Sequence, residues 1–473
     1  MATGCSRSIL RQRSSGIYAR HMNAPRCVLV CLCLFVLLRI NALAKEPPAP
    51  ASPANLREAL QGKVAHEQET LLALYRELHA SPELSYHEEK TSQKLAAEMR
   101  AAGLEVTEKV GGWGVVCVLR NGEGKTVLVR TDMDALPVPE LTGLPYASKV
   151  RTKDDNGRDV RVMHACGHDF HMACWVGVAR VLASMKDKWH GTIVFIGQPA
   201  EERGGGAEAM LKDGLFQRFP KPDLCLALHD HADLPAGSVG LTSGAAAANA
   251  DNVDLVIHGI GGHGAMPDKT KDPIVLAAQI VLALQTIDSR ELPPLEPVVV
   301  TVGSIHGGTK HNIIPDEVRL QLTVRTFSME TRKKVLAAIV RIARGQAIAA
   351  GLPENLMPEL IADERFTPML NNDPPIVETL RGLFTGIYGK ENVIETKPMM
   401  GSEDFSRYGM TDDKIPVCMI WIGATPAAKL SEAAKTGVAV PGLHSPFFHP
   451  EIETVLPAGM TAMSAAVLEL MRK

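Results

Sequence analysis

The chain has 473 residues, 45% hydrophobic but only 4% aromatic, so it can build two domains whose cores rest on Leu, Val, Ile and Ala. Its formal charge is −3, and residues 1–44 hold six Arg with no Asp or Glu, so removing those six positive charges leaves −9. A mildly acidic remainder argues against nucleic acid as a partner.

The chain opens with Arg7, Arg11, Arg13, Arg20 and Arg26, then an apolar run over 27–38, then Asn41-Ala42-Leu43-Ala44. A basic region, a short apolar core and a small-x-small site form an export signal. The apolar run is short for a membrane span. The expectation is a signal peptide over 1–44 and an exported protein, periplasmic or secreted, with no stable membrane span after cleavage. An uncleaved anchor is the alternative, and Met22 is an alternative start. Residues 46–53 read as a Pro/Ala-rich tether. Outside the leader, Cys117, Cys166, Cys174, Cys225 and Cys418 are odd in number and irregular in spacing, so no disulfide framework is expected.

Helical periodicity covers 56–80, and a second helix covers 88–102, closed by Gly103. Apolar runs at 115–119 and 127–129 read as strands. A helix is expected from about His171 to Met185, a strand at 192–196, a helix after the following glycines, and a strand at 224–228. Strands alternating with helices predict an α/β layer fold. The pattern changes after 246–250. A strand at 253–257, a helix at 273–287, strands at 298–302 and 318–325, and a helix at 331–350 predict a small ferredoxin-like α+β unit. Its expected bounds are 249–363, inserted between catalytic segments 45–248 and 364–473.

The segment His164-Ala-Cys166-Gly-His168-Asp-Phe-His171 packs a thiol, three imidazoles and a carboxylate into eight residues. If 166 and 168 are extended, their side chains share one side, and zinc accepts both ligand types. The bland alternative is a polar turn with a buried cysteine. The strand at 192–196 runs into Gln198-Pro-Ala-Glu201-Glu202 and a glycine run. One carboxylate can bind metal while its neighbour takes a proton from water. His229 and His231 also follow a strand, and ligands in open α/β sheets gather at strand carboxyl ends. Gly259-Ile-Gly-Gly-His263-Gly264 matches a dinucleotide fingerprint, but residues 267–273 intervene before any helix, so a nucleotide site is not expected.

Three segments carry a resemblance: 163–171, Gln198–Glu202 and Asp132-Met-Asp134-Ala-Leu-Pro137. Together they resemble the metal-dependent amidohydrolases of the auxin-conjugate hydrolase and hippurate hydrolase branch, from about Leu74 to the C-terminus. Aminoacylases and carboxypeptidase G are more distant relatives. The resemblance implies a dinuclear-metal peptidase-like α/β domain, a mixed sheet with helices on both faces, carrying an inserted ferredoxin-like lid or dimerisation domain. It implies two divalent ions, Zn first with Mn or Co as alternatives, held by Cys166, His168, Glu202, His229 and His444. His449 is the lower-ranked rival for His444.

Glu201 is then the general base on water, and His263 helps to hold the oxyanion. Asn312 and Arg325 contact a substrate carboxylate. Asp132 and Asp134 support the ligands. More distant relatives carry His-x-Asp where this chain has Arg130-Thr131-Asp132, so that metal-ligand His is absent here. The implied substrate is an N-acyl amino acid or a short peptide, and the implied partner is a second copy through the inserted domain. Three rival readings stay open: a metallocarboxypeptidase or dipeptidase, a metal-free cysteine hydrolase using Cys166 and His168, and a non-catalytic binding protein.

The leader predicts a mature N-terminus at Lys45. Terminal sequencing of protein from the native host checks this, and recovery of Met1 or Met22 counts against cleavage.

Overall fold

A computed structural model describes residues 53–362 and 366–472. The expected leader and its cleavage site lie outside the described residues, as do 363–365 at the expected end of the insertion.

An eight-stranded mixed sheet forms the centre. Its strands are β1 (Glu105–Val110), β2 (Gly114–Asn121), β3 (Thr126–Asp132), β4 (Gly191–Gln198), β5 (Leu224–Pro235), β6 (Val239–Leu241), β11 (Val393–Glu395) and β12 (Val417–Thr425). The spatial order is β1-β2-β4-β3-β5-β12-β6-β11. The inner four, β4, β3, β5 and β12, run parallel to one another. Their carboxyl ends therefore share one edge. A parallel strand buried on both faces needs a continuous apolar run, and Thr192-Ile-Val-Phe-Ile196 supplies one. β12, buried throughout, lies between β5 and β6 and adds a strand that the sequence analysis leaves unassigned.

Helices cover both faces. On one lie α1 (Pro53–Ala80), α2 (Glu89–Ala101), α3 (His168–Ser184), α7 (Pro374–Tyr388) and α8 (Ile452–Leu470), sharing a core with β2, β3 and β4. On the other, α4 (Gly206–Lys212) packs Ala207 and Met210 against Val194, Ile196 and Tyr408. Helix α3 is buried almost all round, wedged between the sheet, α1 and α8. It begins at His168 rather than near His171. Gly167, at φ +74°, turns the chain directly into the helix, so 166 and 168 are not extended as the strand-end argument supposes. A Cβ on Gly167 would also lie 2.3 Å from the Asp230 carboxylate. The position thus needs glycine both for its φ and for that close approach.

Between β6 and β11 the chain builds a second sheet from β7 (Asn249–His258), β8 (Val299–Gly307), β9 (Glu317–Thr326) and β10 (Glu359–Ala362). These strands pair antiparallel in the order β8-β9-β7-β10. Helices α5 (Pro273–Leu284) and α6 (Met329–Ala349) pack on it around Leu255, Ile280, Leu320 and Ile339. The β-α-β-β-α-β order is ferredoxin-like, with β10 as a short fourth strand beyond those read from sequence. Asp272 caps α5 and Ser328 caps α6 through their side-chain oxygens. Among the described residues, all five cysteines are free and buried, and no helix is long and apolar enough to cross a membrane.

Candidate metal centre

The shared carboxyl edge of β3, β4 and β5 gathers the expected chemistry. Asp134, just past β3, is the organiser. Its carboxylate accepts the backbone N–H groups of Glu201 (3.0 Å) and Glu202 (3.1 Å) and the Ser85 hydroxyl (2.6 Å). Its backbone carbonyl lies 2.8 Å from His168 Nδ1. A carbonyl can only accept, so Nδ1 carries a proton and Nε2 is the ring nitrogen left to face the site. The same logic fixes His229, whose Nδ1 lies 2.8 Å from the Asp230 carbonyl. That leaves His229 Nε2 facing Cys166 Sγ at 3.6 Å.

His168 Nε2 lies 3.9 Å from Glu202 Oε1, and His444 Nε2 lies 3.5 Å from the same oxygen. His168 Nε2 and Glu202 Oε1 are both buried without a hydrogen-bond partner. Native interiors leave few such atoms, and an adjacent imidazole lone pair and carboxylate oxygen suit a divalent cation. Ligand atoms of Cys166, Glu202 and His444 fall within 4.8 Å of one another, as do those of His168, Glu201 and Glu202. The donor set of thiolate, imidazoles and carboxylate therefore fits two divalent ions. His444 sits at φ +66°, held by its N–H to the Ala165 carbonyl at 2.7 Å, and this ties its loop to the Cys166 turn. His449 instead lines a separate cavity beside Arg76 and Tyr146.

Burial and mutual repulsion shift the acidic groups at this site. Burial, reinforced by Glu403 and Glu202, pushes Glu201 well above the usual carboxylate range. Burial raises Glu202 to about 7. Burial and the charge of Glu202 raise the Cys166 thiol, the opposite of what a free nucleophilic cysteine needs. Divalent cations would displace these protons.

Asp132, expected to support the ligands, is joined beneath the site by partners that have no signal in sequence spacing. His171 Nδ1 lies 2.7 Å from Asp132, and its Nε2 accepts the Asp230 N–H at 3.0 Å, joining the ends of β3 and β5. Burial disfavours a charged Asp230, but His171 and His229 outweigh it and hold that carboxyl at about 2. Arg130, fully buried, donates to Gln198 (3.1 Å), Asp132 (2.5 Å), Glu403 (2.9 Å) and Asp404 (3.3 Å). Glu403 therefore lies beside Glu201, within the same 4.8 Å cluster. Further out, His79 on α1 bridges Asp169 (2.6 Å) and Glu140 (2.9 Å). Burial works against a charge on His79, but the two carboxylates raise it to about 10.

A cavity of about 740 Å³ opens onto Cys166, Glu201, Glu202, His229 and His444. Its apolar walls include Met399, Trp421 and Leu443, and Arg325 enters it from the end of β9. Arg325 Nε donates to Thr323 Oγ1 at 3.0 Å, leaving the rest of its guanidinium fork for other acceptors. His263 and Asn312 are not brought to this cavity. They lie exposed and adjacent at the opposite end of β7 and β9, where the Gly264 N–H donates to the Asn312 carbonyl. The glycines at 259–264 open no helix. They let the backbone press against 271–273 and 312–316. His231 is half-buried against Trp421 rather than exposed.

Residues 128–445 match the peptidase family M20/M25/M40. The chain is 37% identical over 358 residues to thermostable carboxypeptidase 2 of Saccharolobus solfataricus, covering 75% of this chain and 86% of that protein. It is 37% identical over 334 residues to the hippurate hydrolase of Campylobacter jejuni, covering 70% and 82%. Among solved structures, the YXEP protein of Bacillus subtilis, described as a dinuclear metal binding peptidase of the M20 family, superposes with a TM-score of 0.69 at 28% identity. That match covers 86% of this chain and 99% of the other.

Replacing Arg130 with Met should destabilise the fold by about 3–5 kcal/mol, because Asp132, Glu403 and Asp404 would be left buried without their cation. Urea unfolding of the metal-free chain measures this. A change near zero would mean that water or protonation replaces the guanidinium.

Proposed function

Since the chain belongs to peptidase family M20/M25/M40, a family of metal-dependent amide hydrolases, we propose that it is an exported amidohydrolase cleaving the amide of N-acyl amino acids, with Glu201 as general base. The observation that carries this reading is the shared cavity. Arg325 and the Glu201–Glu202 pair face one space of about 740 Å³, a size that suits a small conjugate. Arg325 would take the substrate carboxylate through paired N–H donors. The acyl part would then lie against the apolar wall of Met399, Trp421 and Leu443, with the amide over the carboxylates.

Cys166, His168, Glu202, His229 and His444 would hold two divalent ions, Zn first and Mn or Co otherwise, which supply Lewis-acid polarisation of the carbonyl and acidify water. Glu201 accepts the proton of the attacking water and delivers it to the leaving amine. The carboxypeptidase reading is the second candidate, favoured by a relative of that name. A terminal carboxylate would use Arg325 in the same way.

The inserted unit would pair with a second copy. Ile274, Val275 and Leu282 on α5, with Ile305 and Ile313 nearby in the same unit, are exposed apolar residues. His263 and Asn312, out of reach of their own cavity, would then serve the cavity of the second copy. Export rests on the leader pattern.

Activity over a panel of N-acyl amino acids and dipeptides tests the substrate class, and turnover of dipeptides alone would select the carboxypeptidase reading. Glu201→Gln should lose ~10²–10⁴-fold in kcat while keeping its metal. Metal lost in Glu201→Gln but kept in Glu202→Gln would reverse the two roles. Cys166 should resist alkylation in the metal-loaded chain and become modified after chelation. Turnover by metal-free chain, verified by elemental analysis, would overturn the metal mechanism.

A further inference from the structure

The Glu201–Glu202 turn is held in an unusual backbone shape, and one buried carboxylate outside the metal centre touches its pivot. Ala200 sits at φ +50° and Tyr86 at φ +68°, two of only five non-glycine residues at positive φ among the described residues. Alanine and tyrosine adopt that region reluctantly, and such strain persists where surroundings impose it. Both backbone N–H groups donate to the same oxygen, Glu88 Oε1, at 2.7 Å from Ala200 and 2.9 Å from Tyr86. Glu88 is fully buried at the start of α2.

The turn is tight on its other side. The Ala200 carbonyl accepts the N–H groups of Gly205 and Gly206. A Cβ on Gly206 would lie 1.5 Å from the Pro199 oxygen, and one on Gly205 would lie 2.2 Å from the Tyr86 hydroxyl. The next two N–H groups, of Glu201 and Glu202, point at the Asp134 carboxylate. The orientation of the Ala200 peptide therefore sets where both carboxylates aim. Tyr86, on the same Glu88 oxygen, also lines the substrate cavity.

We infer that Glu88 is a positioning residue that holds Ala200 in the left-handed conformation and so aims Glu201 and Glu202, while joining that turn to Tyr86 at the cavity wall. The inference rests on the proposed roles of Glu201 and Glu202. What Glu88 supplies is an acceptor at a fixed reach, not a charge. Glu88→Gln keeps the acceptor oxygen. Glu88→Asp keeps the charge but withdraws the oxygen by one methylene.

With the metal-loaded full chain, Glu88→Asp should lose about 10- to 100-fold in kcat, the scale of a misaimed catalytic group, with KM little changed and metal bound less tightly, since Glu202 is misaimed with Glu201. Glu88→Gln should stay within about threefold of wild type. Adding Ala200→Gly to Glu88→Asp should restore much of the loss, since glycine populates positive φ freely. Amide hydrogen exchange reads the same device without turnover. Exchange over 198–206 should accelerate in Glu88→Asp, stay near wild type in Glu88→Gln, and leave the sheet core unaffected. Three results would each overturn the inference: Glu88→Gln as impaired as Glu88→Asp, Glu88→Asp with wild-type kcat and exchange, or acceleration spread over the whole chain. If the wild-type chain hydrolyses nothing in the panel, the proposed function fails, and the exchange comparison still decides the role of Glu88.

Discussion

A buried cation under a cluster of carboxylates is the constraint on which the rest of this structure turns. Arg130 has no solvent contact and meets Asp132, Glu403 and Asp404. Moving one such ion into a medium of low dielectric costs on the order of 20 kcal/mol in the idealised limit, and still several kcal/mol after relaxation. The cost is met only where acceptors surround it, so the guanidinium fixes its partners as firmly as they fix it. Asp132 is thereby presented to His171 and His168, and Glu403 is brought beside Glu201. The sequence resemblance implies a metal-binding histidine at this position in more distant relatives. Here the same strand end supplies charge balance, and the expected ligands come from the turn into α3.

The parallel sheet makes that concentration of charge geometrically cheap to reach. Four neighbouring strands end on one edge, and the crossovers leaving them begin with the chemistry: Asp134 after β3, Glu201 and Glu202 after β4, and the segment His164–His171 before α3. His229 and Asp230 lie within β5 at the same level. Two backbone devices complete it. Gly167 bends the chain so that Cys166 and His168 flank a turn, and its missing Cβ admits Asp230. The Asp134 carboxylate grips two successive peptide N–H groups and its carbonyl holds His168, so a single residue aligns both glutamates with that imidazole.

The sequence was most readable where chemistry is local. Thr192–Ile196 is apolar and β-branched, and Glu201-Glu202 follows at once, so strand, turn and carboxylates fall within eleven residues. Cys166 and His168 are legible for the same reason, although they flank a helix start and not a strand end, a distinction that rests on the φ of Gly167. The layer order and the ferredoxin-like insertion followed from periodicity. The supporting network did not. Arg130 meets Glu403 across 273 positions, and His79 meets Asp169 across 90, separations that no window along the chain can span. Burial of a charged residue cannot be read from its identity either: Arg130 lies in a run that looks like an ordinary strand ending in a polar turn.

The insertion shows why residue type alone could not place His263, Asn312 and Arg325 together. All three sit in one unit, yet the strand register separates them. Ala250 pairs with Arg325 at one end of the β7–β9 ladder, and His258 pairs with Glu317 at the other. Eight residues of extended strand span about 27 Å. Arg325 therefore stands at the cavity, while the loops carrying His263 and Asn312 leave from the far end. The two ends cannot serve one cavity within one chain unless the ladder breaks, and its regular pairing, with Val253, Leu255, Ile257, Leu320 and Leu322 buried beneath it, resists that. Arg325 thus stands at the base of a rigid arm, at the cavity, and the loops of His263 and Asn312 stand at its tip, about one ladder length away.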